Sequence, residues 1–475
     1  MNVVEASLKQ ALKSVPNESF YYTNASNFEF LNTYTGVEDC SMKVLDQMFT
    51  DIEILRSEKK TRITKISFCG YSFGGLIARY CIGKLEEIGF FDEVKPVYFT
   101  TFATPHLGVR FFKDSLFNKS LNFLGSRCFG KSGSELFLHY SDMLLDLTRP
   151  ESSYMKGLGL FKMRILLVNT QNDRSVAFYT GFITNYSPFE DTEPAKLEFL
   201  DNIPGLKIWG QMVKPRILNL EQSSRGTLAT TGDETGRRMV LPVLLILPIL
   251  VPLTLILTVT GTVYAYIFLL FRRKIDIAAR WAKLTKYVYH GGRMATSEQN
   301  AIEEGKNLST RHIGDRAMAE LTQDAVEAVL DVDGKVQQES EEGLSSRSKT
   351  PSSEQSDDSS GLNSRFEILD EFESDASYDF ESASSKVRDV FSSFKNLDLQ
   401  ASSLVTGIQP LPFDSKRMQM MHNLNSLDWY KIPVSLNNFN AHGAIVARRN
   451  EPRGIATTLF WASVIRSDIM GSLEE

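Results

Sequence analysis

The chain is poor in the residues that build metal centres and disulfide frameworks. Its 475 residues include four cysteines (Cys40, Cys69, Cys81 and Cys128) and six histidines (His106, His139, His290, His312, His422 and His442). None of the cysteines has metal-ligand spacing, and no histidine cluster adjoins them. Reduced thiols in a cytosolic compartment are the expectation. A basic surplus is missing too. The formal net charge is −6, so no nucleic-acid partner is expected. Met1–Pro16 lacks the apolar core of a signal peptide. Triplets such as Asn24-Ala25-Ser26 are therefore expected to be unused glycan acceptors.

The most informative segment is Gly70-Tyr71-Ser72-Phe73-Gly74-Gly75. The apolar run Ile63–Cys69 precedes it, and the helix-compatible Leu76-Ile77-Ala78-Arg79-Tyr80 follows. Strand, Gly-x-Ser-x-Gly turn and helix together form the setting of a nucleophile elbow. Gly70 and Gly74 are expected where a Cβ would collide with neighbouring backbone. The helix start would turn its N–H groups toward developing negative charge, with the N–H of Phe73 as oxyanion donor. The alternative is a purely structural turn.

A hydroxyl nucleophile needs a base and an acid to orient that base, and in this class of fold the chain order is serine, acid, histidine. Met163–Thr170 reads as a short buried strand and leads into Gln171-Asn172-Asp173-Arg174. Asp173 then lies past a strand's carboxyl end, on the same rim as Ser72. Its alternative is a loop Asx-turn. Four histidines follow Asp173, and His442, between the small residues Ala441 and Gly443, is the preferred base. His106, in Thr104-Pro105-His106-Leu107-Gly108, also falls on the rim. Its position before the acid suits a supporting or substrate-wall role, or a buried structural one.

These four segments in this order resemble the fungal serine esterase/lipase family of α/β-hydrolases, and within it the yeast lipid-droplet phospholipase branch. Thr33-Tyr34-Thr35-Gly36-Val37 resembles a further family segment. The resemblance spans about residues 1–205 and 400–475. It implies Ser72 as nucleophile, Asp173 as acid and His442 as base, acting on acyl esters of lipids without metal or cofactor. The family's first strand ends in a His-Gly motif that gives a second oxyanion N–H, and Met1-Asn2-Val3-Val4-Glu5 lacks it. Losing one such donor costs roughly 10²–10³ in rate. An incomplete N-terminus and a weakened or inactive droplet scaffold are the two explanations. His290-Gly291-Gly292 copies the motif in letters only, because it follows a basic helix.

Val240–Phe271 is 32 residues without a charge. One straight helix of that length would run about 48 Å, against a hydrocarbon core of about 30 Å. Pro242, Pro248 and Pro252 interrupt it, and Arg237-Arg238 and Arg272-Arg273-Lys274 flank both ends. A hairpin entering a membrane or a droplet monolayer from the cytosol satisfies length, prolines and charge together. A tilted span from Leu250 to Phe271 and a buried core helix are the alternatives. Next, Ile277, Trp281, Leu284 and Val288 recur at helical spacing beside basic residues, the pattern of an interfacial amphipathic helix or an ordinary soluble one. Gln337–Ser385, crowded with Ser, Asp and Glu, reads as disordered.

The expectation is a doubly wound, mostly parallel α/β sheet. Residues 1–211 form the core with nucleophile and acid. Residues 212–300 hold the membrane hairpin and basic helix. Residues 301–400 are a polar helix and linker, and 401–475 complete the core. Substrate would be a glycerophospholipid or acylglycerol, at a lipid droplet or the cytosolic face of the endoplasmic reticulum.

Overall fold

A computed structural model describes residues 1–25, 30–112, 116–189, 195–208, 211–225, 275–290, 376–436 and 440–474, with 259–263, 267 and 438 besides. In chain order come α1 (Asn2–Leu12), α2 (Val37–Lys59), β1 (Lys65–Tyr71), α3 (Phe73–Glu87), β2 (Lys95–Phe102), α4 (Leu116–Cys128), α5 (Gly130–Leu136), α6 (Met143–Asp146), α7 (Ser153–Gly159), β3 (Met163–Asn169) and α8 (Phe178–Phe182). There follow four short strands, β4 (Ala195–Lys196), β5 (Leu206–Ile208), β6 (Gln211–Val213) and β7 (Ser224–Arg225), then α9 (Ile277–His290) and β8 (Ala376–Ser377). The chain closes with α10 (Phe380–Phe391), α11 (Ser415–Leu424), β9 (Tyr430–Val434), α12 (Ala441–Ala444) and α13 (Pro452–Glu474).

Four strands form the central sheet in the order β1-β2-β3-β9, every pair parallel. Parallel strands need covered faces, and β3 shows why its sequence reads as continuous apolar residues. Ile165 and Leu167 point into one core with Val4 and Ala11 of α1, Val387 of α10 and Phe460 of α13. Leu166 and Val168 point into the opposite core with Leu76 of α3, Leu158 of α7 and Met420 of α11. Helices therefore lie on both faces, as expected of an α/β fold. The minor strands pair antiparallel.

Two expectations for the long insertion change. The stripe of α9 meets no interface, because Ile277, Trp281 and Leu284 are buried against Phe49 of α2 and Phe90. The Trp281 ring centroid lies 4.6 Å from that of Phe90. Arg280 reaches Glu53 at 2.8 Å and also pairs with Asp46. Opposite charge for the basic helix thus comes from α2, more than two hundred residues away in sequence. The second change concerns 376–385, read as part of a disordered run. Ala376–Ser377 pair with β5, and α10 begins at Phe380 with Asp379 accepting from the N–H groups of Glu381 and Ser382. Ala383 and Val387 are fully buried and Phe391 nearly so. That helical stripe is hidden in the sequence by the serines around it.

Most of Val240–Phe271 and the polar stretch from Ala317 lie outside the described residues, as does Gln337–Asp375. Residues 259–263 are helical, and a Cβ on Gly261 would stand 2.9 Å from the Tyr34 ring. Among the described residues no helix is long and apolar enough to cross a membrane.

Candidate active site

The carboxyl ends of parallel strands share one edge, and the site is assembled there. Ser72 follows β1, Asp173 follows β3 and His442 follows β9. Ser72 sits at φ 53°, ψ −128°, a conformation that costs a non-glycine residue on the order of 1–3 kcal/mol. The surrounding structure holds it there. The Ser72 N–H donates to the Phe102 carbonyl at 2.9 Å, and its own carbonyl accepts from the Gly75 N–H at 3.1 Å. A Cβ on Gly70 would stand 2.5 Å from the Gly75 Cα, as expected. Gly74 departs from expectation, because nothing lies within 4 Å of its Cβ position. Gly75 is the crowded residue, its Cβ position being 2.2 Å from Thr104 Oγ1. The start of the helix after the elbow is thus wedged between Gly70 of the turn and Thr104 of the loop after β2.

The three distant side chains meet. His442 Nε2 is 3.0 Å from Ser72 Oγ, and His442 Nδ1 is 3.0 Å from Asp173 Oδ2. Both the imidazole and the carboxylate are almost wholly buried. Asp173 is held on two sides. Its Oδ1 accepts from the Val176 N–H, three residues on, at 2.8 Å. Its Oδ2 also accepts from Asn169 Nδ2 at 3.0 Å. Asn169, the last residue of β3, donates as well to the Ala441 carbonyl at 2.8 Å, so one amide ties the aspartate to the helix that bears the histidine. The Asn440 side chain caps α12 by accepting from the Gly443 N–H at 2.8 Å. Such an arrangement can pass a proton from hydroxyl to imidazole and stabilise the imidazolium. Phe73 opens α3, whose first-turn N–H groups have no partner within their own helix.

His106 is placed elsewhere. It is fully buried, with Nε2 3.0 Å from Thr101 Oγ1 and its ring edge-on to Trp429. Burial, with Arg79 and Lys431 nearby, holds its pKa well below the usual histidine range. It presents no surface to a substrate. Asn169 and Tyr71 were not singled out in the sequence. For Asn169 the signal was present: a polar residue directly after the apolar run Ile165–Val168 and four positions before Asp173.

Residues 1–187 match the family described as "Putative serine esterase (DUF676)". Three yeast proteins are also similar. "Putative lipase C4A8.10" of Schizosaccharomyces pombe is 32% identical over 149 residues, 29% of this chain and 19% of that protein. "Putative lipase YDL109C" of Saccharomyces cerevisiae is 30% identical over 190 residues, 38% and 27% of the two chains. "Putative lipase ROG1" of the same yeast is 34% identical over 127 residues, 25% and 18%. The matched region thus spans between about a fifth and a quarter of these relatives' length. No solved structure matches the chain significantly. The matched residues 1–187 hold Ser72 and Asp173, and His442 lies beyond them.

Proposed function

We propose that this protein is a serine lipase that hydrolyses acyl ester bonds of glycerolipids at a membrane or droplet surface. The observation that carries the reading is the pair of 3.0 Å contacts linking Ser72 to His442 and His442 to Asp173. Ser72 Oγ attacks the acyl carbonyl as His442 Nε2 takes its proton, and Asp173 holds the ring in the competent tautomer. The Phe73 N–H stabilises the oxyanion. His442 then protonates the leaving alcohol. Water, deprotonated by the same nitrogen, releases the fatty acid from the serine. No metal or cofactor is needed for these steps. Support for a lipid substrate comes from the names of the relatives and from the charge-free run Val240–Phe271, which would hold the chain where such esters lie.

Labelling of the full chain by a fluorophosphonate probe tests the chemistry. Wild type should label, and Ser72→Ala should not. Labelling that survives Ser72→Ala, or none in wild type, would remove the enzyme reading. Fatty-acid release from phosphatidylcholine and from triacylglycerol then separates the two substrate classes.

A further inference from the structure

A cavity of about 400 Å³ has none of the three residues above in its lining. The loop after β2 supplies Arg110, the turn after α5 supplies His139, and the first turn of α11 supplies Lys416 and Arg417. Among the described residues its one acidic wall residue is Asp414, whose Oδ2 accepts from Arg110 at 3.1 Å and also from Arg417. One carboxylate oxygen therefore serves two guanidinium groups. Lys416 pairs at 2.6 Å with Asp142, which is not part of the wall. Asp414 already caps the ten-residue α11, its Oδ1 accepting from the Arg417 N–H at 2.9 Å, and the described lining still sets Arg110, Lys416 and Arg417 against that one carboxylate.

Two buried nitrogens strengthen this. Arg417 is 2% exposed, and its Nε has no hydrogen-bond partner among the described residues; neither has the buried Nε2 of His139. An orphaned buried donor is expensive unless a ligand completes it. The turn that carries His139 is itself strained, with Leu138 at φ 55° and Tyr140 at φ 58°. Such strain in non-glycine residues collects at functional sites.

The surroundings say what brings the anion. Three wall residues are each followed in the chain by an exposed apolar side chain. Phe123 after Asn122 is 58% exposed, Tyr140 after His139 is 87% exposed, and Met418 after Arg417 is 42% exposed. The Tyr140 and His139 ring centroids are 3.9 Å apart. A cationic hollow with aromatic and thioether groups standing out beside it matches the chemistry of an anionic membrane face, where phosphate lies above acyl chains. Phe123 lies under the Arg127 guanidinium, 3.9 Å from its ring centroid, which adds a further cation beside the hollow; a soluble phosphate would not account for the exposure of these side chains.

We propose that this cavity takes the phosphate headgroup of an anionic phospholipid while Phe123, Tyr140 and Met418 enter the surface around it. The site then docks the domain on anionic membranes whatever ester Ser72 cleaves.

The test is flotation of the full chain with phosphatidylcholine vesicles, with and without phosphatidic acid. The run 240–271 would bind either, so the reading is the gain on the anionic vesicles. The gain should be lost in high salt, and Arg110→Ala and Lys416→Ala should each reduce it about fivefold. Phe123→Ser with Tyr140→Ser should reduce binding to both vesicle types. Thermal melting and Ser72 labelling check that the variants are folded. Equal binding to the two vesicles, or a gain that survives Arg110→Ala with Lys416→Ala, would overturn the proposal. Titration with inorganic phosphate separates the sources. Phosphate binding without a gain on anionic vesicles would make the cavity a soluble-anion site and overturn the docking role.

Discussion

The Tyr71 hydroxyl donates to the main-chain carbonyl of His442 at 3.1 Å, and the two rings lie 5.0 Å apart. The residue before the proposed nucleophile thus holds the helix that carries the proposed base, across 371 positions of chain. Tyr71→Phe keeps the ring and loses this bond. Since a neutral hydrogen bond is worth about 1 kcal/mol, kcat should fall about fivefold with little change in KM. Steady-state kinetics on a soluble ester measures it, and unchanged turnover would show that α12 is held by other means.

Asn169 is the other link between the strands and α12. Asn169→Ala leaves the buried Ala441 carbonyl without this donor and frees one side of Asp173. The cost should be about 1–3 kcal/mol in urea unfolding. Fluorophosphonate labelling should slow more than tenfold, roughly the rate equivalent of losing a buried bond to a charged group. A stability loss without a labelling defect would make Asn169 structural only.

The elbow gives a paired test. Gly75→Ala forces a methyl to within 2.2 Å of Thr104 Oγ1, whereas Gly74→Ala meets open space. Gly75→Ala should destabilise by about 1–3 kcal/mol, as overpacking does. Gly74→Ala should stay within about 0.5 kcal/mol of wild type. Two thermal melts decide it.

Glu135 gives a pH signature. It is 1% exposed and accepts from the Val37 N–H at the start of α2 at 2.7 Å. Burial pushes its pKa up to about 7. The folded state therefore holds this proton more tightly than the unfolded chain does. Its contribution is complete below the unfolded carboxyl value and is lost as pH rises toward 7, a change on the order of 3 kcal/mol. Glu135→Gln should flatten that part of the stability profile, measured by urea unfolding between pH 5 and 8. A parallel profile for wild type and variant would contradict the assignment.

Much of the sheet was legible in the sequence, Asp173 because the buried apolar strand β3 precedes it, Ser72 because of its Gly-x-Ser-x-Gly turn, and His442 because of chain order and its small neighbours. What escaped depended on contacts between distant segments. The stripe of α9 has the same pattern whether it faces lipid or Phe90, and only Asp46 and Glu53 decide. The crowded glycine at the elbow is set by Thr104, which no local pattern reveals. Residues 376–385 read as linker because their few apolar positions matter only once α13 lies beside them. His106 shared the rim in sequence order, yet Trp429 and Thr101 enclose it.

The packing of Trp281 on Phe90 has a mechanical meaning. Only five residues, 272–276, separate the end of the uncharged run from α9. Fully extended they reach less than about 20 Å. If the run is seated in lipid, α9 and the face of α2 on which it packs are kept within that short reach of the surface.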